Sequence, residues 1–148
     1  MTSTSSSRRC VPCVVGDAGN APRRHRVFSY LWRGRPEAER FRPVVEGATL
    51  ALSFTTVGEL WYGASKRGWG ERRKNELRAG MRPYAVLPYT RELSLRWGEL
   101  RAELEQVGEP LADNDLWIAA TALHHDVPLV TNNRQHFERV PDLRLLPE

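Results

Sequence analysis

The chain has 148 residues, 41% of them hydrophobic and 27% charged, and a net charge of +4. That length supports one domain with a buried core, and the composition is ordinary for a globular protein, which sets aside fibrous and wholly disordered chains. No apolar run reaches the roughly 18 residues needed to span a bilayer, and the opening MTSTSSSRR has no apolar stretch behind its arginines of the kind a secretory signal carries. A cytoplasmic protein is expected.

The charge is unevenly placed. Residues 1–42 hold nine arginines against Asp17, Glu37 and Glu39, whereas residues 43–148 hold thirteen basic and fifteen acidic residues. The front segment therefore suits contact with a polyanion, or is a solvated tail. Residues 1–26 read as a disordered segment: Ser and Thr clusters, scattered Arg, Gly and Pro, and VPCVV as the lone apolar run. Cys10 and Cys13 form a CxxC, half of a zinc or redox motif with no second half anywhere in the chain. They read as stray thiols in that segment.

Order is expected from Val27 on. VFSYLW is apolar and aromatic, and PEAERFRPVVEG reads as a short helix with Pro36 in its first turn. TLALSF, residues 49–54, is a compact strand, followed by a helix to about Lys66 and a basic helix over ERRKNELRAGM. YAVLP at 84–88 is a second strand. Leu93, Trp97, Leu100, Leu104 and Val107 then repeat at helical spacing. GEP closes that helix, and Leu116, Ala119, Ala120 and Leu123 mark the apolar face of the next. PLVT is a third strand, a short helix covers about 133–138, and LRLL is a fourth strand. Strands alternating with helices predict an α/β fold with a mostly parallel sheet covered on both faces.

Three places put polar groups where strands of such a sheet end, the edge at which open α/β folds bind ligands. Glu59 lies one turn into the helix after TLALSF, where Thr56 and Glu59 also fit a capping box. Asp113 and Asp115 open an apolar, small-residue helix. Paired acids there serve as cap and first-turn charge, or hold a cation between them. Asn132, Asn133, His136 and Glu138 cluster after PLVT, in what is also a favourable turn sequence.

The order of these pieces is more specific than any one of them. FSYLWRGRPEAERF, LALSFTTVGELWYGA, VLPYTRELSLRWGELRAELEQVGEPLADNDLWIAATAL and PLVTNNRQHFERVPDLRLL resemble the PIN-domain ribonucleases, specifically the VapC-like toxins of bacterial toxin–antitoxin pairs. The resemblance runs in family order over about residues 27–147. It implies a PIN-like three-layer sandwich over 27–148, and a magnesium- or manganese-dependent endoribonuclease that cuts RNA. It further implies restraint by a cognate antitoxin and assembly as a homodimer. Hard oxygen ligands suit Mg²⁺ or Mn²⁺, which lowers the pKa of a bound water and neutralises the scissile phosphate.

Residue by residue, Glu59 matches the family's second acid, Asp115 the acid before the LWIAA helix, and Asp113 a frequent companion. Asn133 matches the Asn of the turn. His136 stands where an Asp or Glu is frequent. The family's first strand ends in an Asp, and aligning VFSYLW with the following helix puts Arg24 there and leaves the first strand missing or replaced. The alternative is that CVVGD supplies them, with CVV as strand and Asp17 as acid, at the cost of extra residues before the helix. With Arg24 in the site, little ribonuclease activity is expected. The alternative reading is a non-catalytic PIN-like module that binds and sequesters an antitoxin.

Overall fold

The structure, a computed structural model, describes residues 12–16 and 27–148. In chain order the elements are β1 (Pro12–Val15), α1 (Val27–Arg33), a 3-10 helix (Pro36–Arg40), α2 (Arg42–Val45), β2 (Thr49–Ser53), α3 (Phe54–Lys66) and α4 (Glu71–Met81). There follow β3 (Ala85–Leu87), α5 (Arg91–Gln106), α6 (Asp113–His124), β4 (Leu129–Val130), α7 (Arg134–Phe137) and β5 (Leu145–Leu146). The strands form one sheet in the order β3-β2-β1-β4-β5, and every pairing is parallel. This is the α/β sandwich that the alternation of elements predicts.

Successive residues of a strand face opposite sides of a sheet, and here the alternation divides the core in two. Val14, Ala51, Leu129 and Leu145 join the cluster under α5 and α6. Cys13, Val15, Leu52 and Val130 join the cluster under α1, α3 and α4. Strands covered on both faces are apolar without interruption, which is why CVV, LAL and LV are apolar at consecutive positions.

The front of the chain departs from expectation. Residues 1–26 do not all stand outside the fold, and the first strand is replaced rather than missing. Pro12–Val15 is the central strand, paired with β2 through Cys13↔Leu50 and Val14↔Ala51 and with β4 through Val15↔Val130. Val14 and Val15 are fully buried, and Cys13 is a core side chain rather than a stray thiol in a tail. Its burial pushes the thiol up to about 11. Four apolar residues suffice because partners on both sides supply the hydrogen bonds and both faces are covered. The strand closes at Val15, ahead of Arg24. Residues 1–11, with Cys10, and 17–26, with Asp17 and Arg24, lie outside the described residues.

Two local readings also change. PEAERFRPVVEG is a 3-10 helix followed by the separate α2, because Pro43 in the first turn of α2 has no N–H to continue a helix from before it. Buried Phe41 is the joint. The cap of α3 is Ser53, whose Oγ accepts from the Thr55 N–H at 3.3 Å, so Thr56 and Glu59 are not a capping box. Thr56 lies inside the helix, its Oγ1 buried with no hydrogen-bond partner among the described residues. No helix among the described residues is long and apolar enough to cross a membrane.

Candidate active site at the carboxyl edge of the sheet

The carboxyl ends of β1, β2 and β4 lie side by side in the middle of the sheet. β2 runs into α3 without a linker, because Ser53 is both the last strand residue and the helix cap. That abrupt turn brings Glu59 to the edge in the second turn of α3. Beyond β4, buried Thr131 accepts the Asn133 N–H on its Oγ1 at 3.0 Å. The resulting turn starts α7 and aims His136 back across the edge.

The first turn of α6 joins these two arms. Asn114 Nδ2 donates to Glu59 Oε1 at 2.7 Å, tying α6 to α3. Asp115, only 2% exposed, has its Oδ2 2.8 Å from His136 Nε2, tying α6 to α7. Glu59, Asp115 and His136 thus converge on one helix turn from three separate stretches of sequence. A buried carboxylate is costly unless hydrogen-bonded or paired, and the imidazole supplies one such bond.

Asp113 goes elsewhere. Residues two apart on a helix face nearly opposite ways, and its side chain is 69% exposed, with Oδ1 3.5 Å from Arg101 Nη1 on α5. Asn133 serves the turn through its backbone, its carbonyl accepting the His136 N–H. Asn132 Oδ1 accepts from Arg40 Nη1 at 3.3 Å. Among the described residues, no three of the His, Cys, Asp and Glu side chains are grouped closely enough to hold a metal ion. Asp17 lies outside the described residues.

Two participants were not anticipated from the sequence. Asn114 stands between two acids in ADND, and its position at the helix start is the one signal that marks it. Arg40 carries no local signal; only the fold brings it to Asn132.

Chemically, the edge offers carboxylate oxygens from two helices, a neighbouring imidazole and an amide. An oxygen-rich donor set of this kind fits a hard divalent cation.

Comparison with known proteins identifies the family and the fold. Residues 26–143 match the family model described as PIN domain. The ribonuclease VapC2 of Haemophilus influenzae is 33% identical over 118 residues, 80% of this chain and 89% of that protein. The tRNA(fMet)-specific endonuclease VapC of Salmonella typhimurium is 33% identical over 113 residues, 76% of this chain and 86% of that protein. The crystal structure of VapBC2 from Rickettsia felis, bound to a DNA fragment from its promoter, superposes with a TM-score of 0.74 at 28% identity. That match covers 91% of this chain and 97% of the other.

Proposed function

Since the chain belongs to the PIN-domain family, among its VapC ribonucleases, we propose that its carboxyl edge is a working ribonuclease site, dependent on Mg²⁺ or Mn²⁺. The chain would act in the cytoplasm as a homodimeric toxin restrained by a cognate antitoxin, as in the VapBC complexes it resembles. The observation that carries this reading is the Asn114–Glu59 hydrogen bond. It fixes the Glu59 carboxylate against the helix turn that carries Asp115, so acids from α3 and α6 share one edge.

In this reading Asp115 and Glu59 hold the ion. The ion, when bound, activates water and offsets phosphate charge. Asn114 keeps Glu59 from swinging to solvent. His136 orients the Asp115 carboxylate through Oδ2, as partners beyond the ligands do in metal sites. Asp113, paired with Arg101, is a peripheral acid, and Asn133 shapes the turn behind His136.

The expectation of a silent site depended on Arg24 closing the first strand. With the strand closing at Val15, the first acid to follow it is Asp17, one peptide bond beyond Gly16. We assign the missing family acid to Asp17. Loss of one such group costs roughly 10²–10³ in rate.

Expression in bacteria tests the assignment. The unmodified chain is expected to arrest growth, and Asp17→Asn, Glu59→Gln or Asp115→Asn to relieve the arrest. Purified protein should bind Mn²⁺ more tightly than its Asp115→Asn variant in titration calorimetry. Equal arrest by the parent and by Asp115→Asn would remove the site from the mechanism.

A second reading, a non-catalytic module that sequesters an antitoxin, draws on the lack of any three-acid group among the described residues. It requires a parent chain that is harmless and cleaves no RNA, yet still binds its antitoxin.

A further inference from the structure

On the α1–α3–α4 side of the molecule lies a cavity of about 560 Å³ that plays no part in the chemistry above. Trp32, Arg33, Arg35, Arg67, Trp69 and Arg73 line it. Its floor is apolar, with Leu60 and Leu77 both buried. The two indoles lie 6.4 Å apart. Arg73 stacks over Trp69 with its guanidinium carbon 4.3 Å from the ring centroid. Arg67 and Arg33 approach the same ring at 5.8 Å each, and Arg33 also approaches Trp32 at 5.4 Å.

Stacking on a ring fixes a guanidinium by its face and leaves its N–H edge pointing outward, which suits bidentate contact with phosphate or carboxylate oxygens. None of the ion pairs among the described residues involves Arg33, Arg35 or Arg73. The cluster therefore holds concentrated positive charge with no acid of the described chain against these three. Two further features bear on the site, one on its charge and one on its aromatic wall. The first turn of α4 carries Arg72, Arg73 and Lys74 against the single acid Glu71, and Arg72 is taken up by Glu76, so the turn keeps a net positive charge at the helix end whose dipole favours anions. Gly80 admits the Trp32 indole onto α4, where a Cβ would stand 2.5 Å from Nε1, so the aromatic wall is built into the helix packing.

The cavity is also in line with the acids. Gly63 lies four residues after Glu59 on the same face of α3, Arg67 caps the far end of that helix, and eight residues of helix span about 12 Å. A polyanion crossing the carboxyl edge at Glu59 and continuing down α3 meets these arginines after a short run.

We propose that this cavity is a binding subsite for the single-stranded RNA flanking the cleavage point. Arg33 and Arg73 grip backbone phosphates, and the Trp32–Trp69 wall takes an unpaired base. The proposal rests on the nuclease reading and extends it from the cutting edge to a remote strand contact. Unpaired bases against aromatic and guanidinium planes, beside cations that track the backbone, are the usual physics of single-strand binding.

The test uses the full chain carrying Asp115→Asn, so that RNA is bound rather than cut. Affinity for a fluorescein-labelled oligouridine is measured by anisotropy over a range of salt. Adding Arg33→Ala and Arg73→Ala should weaken binding roughly tenfold and lower the slope of log K against log salt by about 1.4, near 0.7 per lost phosphate contact. The double lysine variant should restore the salt slope and only part of the affinity, because it returns the charge without the planar edge. Its unchanged melting temperature would show the pocket intact. RNA binding with affinity and slope indifferent to both pairs of substitutions would overturn the subsite alone. Oligoglutamate that displaces the RNA at lower concentration than oligouridine would make this a pocket for acidic peptide and overturn it too. A parent that binds no RNA would overturn the nuclease reading, and the subsite with it.

Discussion

If Pro12–Val15 is the central strand, shaving it should cost as much as shaving any core. Val14 and Val15 are both fully buried, and they serve different clusters on opposite faces of the sheet. Val→Ala at either removes two carbons, about 1.6 kcal/mol at ~0.8 kcal/mol per buried methylene. The cavity left behind raises each loss to about 2–3 kcal/mol. The two side chains share no cluster, so their effects should nearly add, giving about 4–6 kcal/mol for Val14→Ala/Val15→Ala. For a chain of this size that lowers the melting temperature by roughly 10–20 °C. Val86→Ala on the edge strand β3, 49% exposed, is the control and should cost under about 1 kcal/mol. Circular dichroism melts of the parent, the double variant and the control decide the matter. A double variant that melts within about 2 °C of the parent, as substitutions in a tail would, refutes the placement of the strand.

Three further outcomes follow from local geometry. Burial pushes the Cys13 thiol up to about 11, so in a Cys10→Ser background iodoacetamide at mildly alkaline pH should spare the native protein and label the unfolded one. Because the folded value is raised from 9.0, the corresponding stability of about 3 kcal/mol is intact below pH 9 and lost as pH rises through 11; stability flat across that range would refute it. Gly16→Ala places a Cβ 2.9 Å from Ile118 Cγ2 on α6 and should destabilise by about 1–3 kcal/mol in denaturant titration, whereas no loss would mean that Gly16 does not abut α6. Ser53→Ala should cost about 1 kcal/mol through the lost cap, while Thr56→Val, which deletes a buried hydroxyl lacking a partner among the described residues, should be neutral or stabilising; the reverse order would restore the capping box.

Much of this architecture was legible in the residues. The 4-3-4-3 spacing from Leu93 to Val107 became α5, and TLALSF followed directly by a helix became the β2–α3 turn that delivers Glu59. The separation of Asp113 from Asp115 was also available, since a helix turns residues two apart away from each other; which arginine would take Asp113 was not. β1 was the costly omission. PCVV is too short for a periodic signal and stands among serines, arginines and glycines, so nothing local distinguishes it from a linker. Its status as a strand comes from β2 and β4 on either side, residues far along the chain. The cap of α3 was misplaced for a related reason: choosing Ser53 over Thr56 requires knowing where the strand stops. Arg40 at Asn132 and the tryptophan–arginine cavity depend wholly on tertiary packing.

The strand order has a consequence for how the protein is made. β2 and β4 do not pair with each other; each pairs with β1, which among the described residues is the only joint between the β3–β2 and β4–β5 halves of the sheet. The joint precedes all its partners in the chain, and β4 and β5 are the last of the described strands. Until Leu129–Val130 has left the ribosome, one side of β1 has no partner strand, and until α7 follows, His136 cannot reach Asp115. Nascent or prematurely terminated chains therefore lack a finished carboxyl edge.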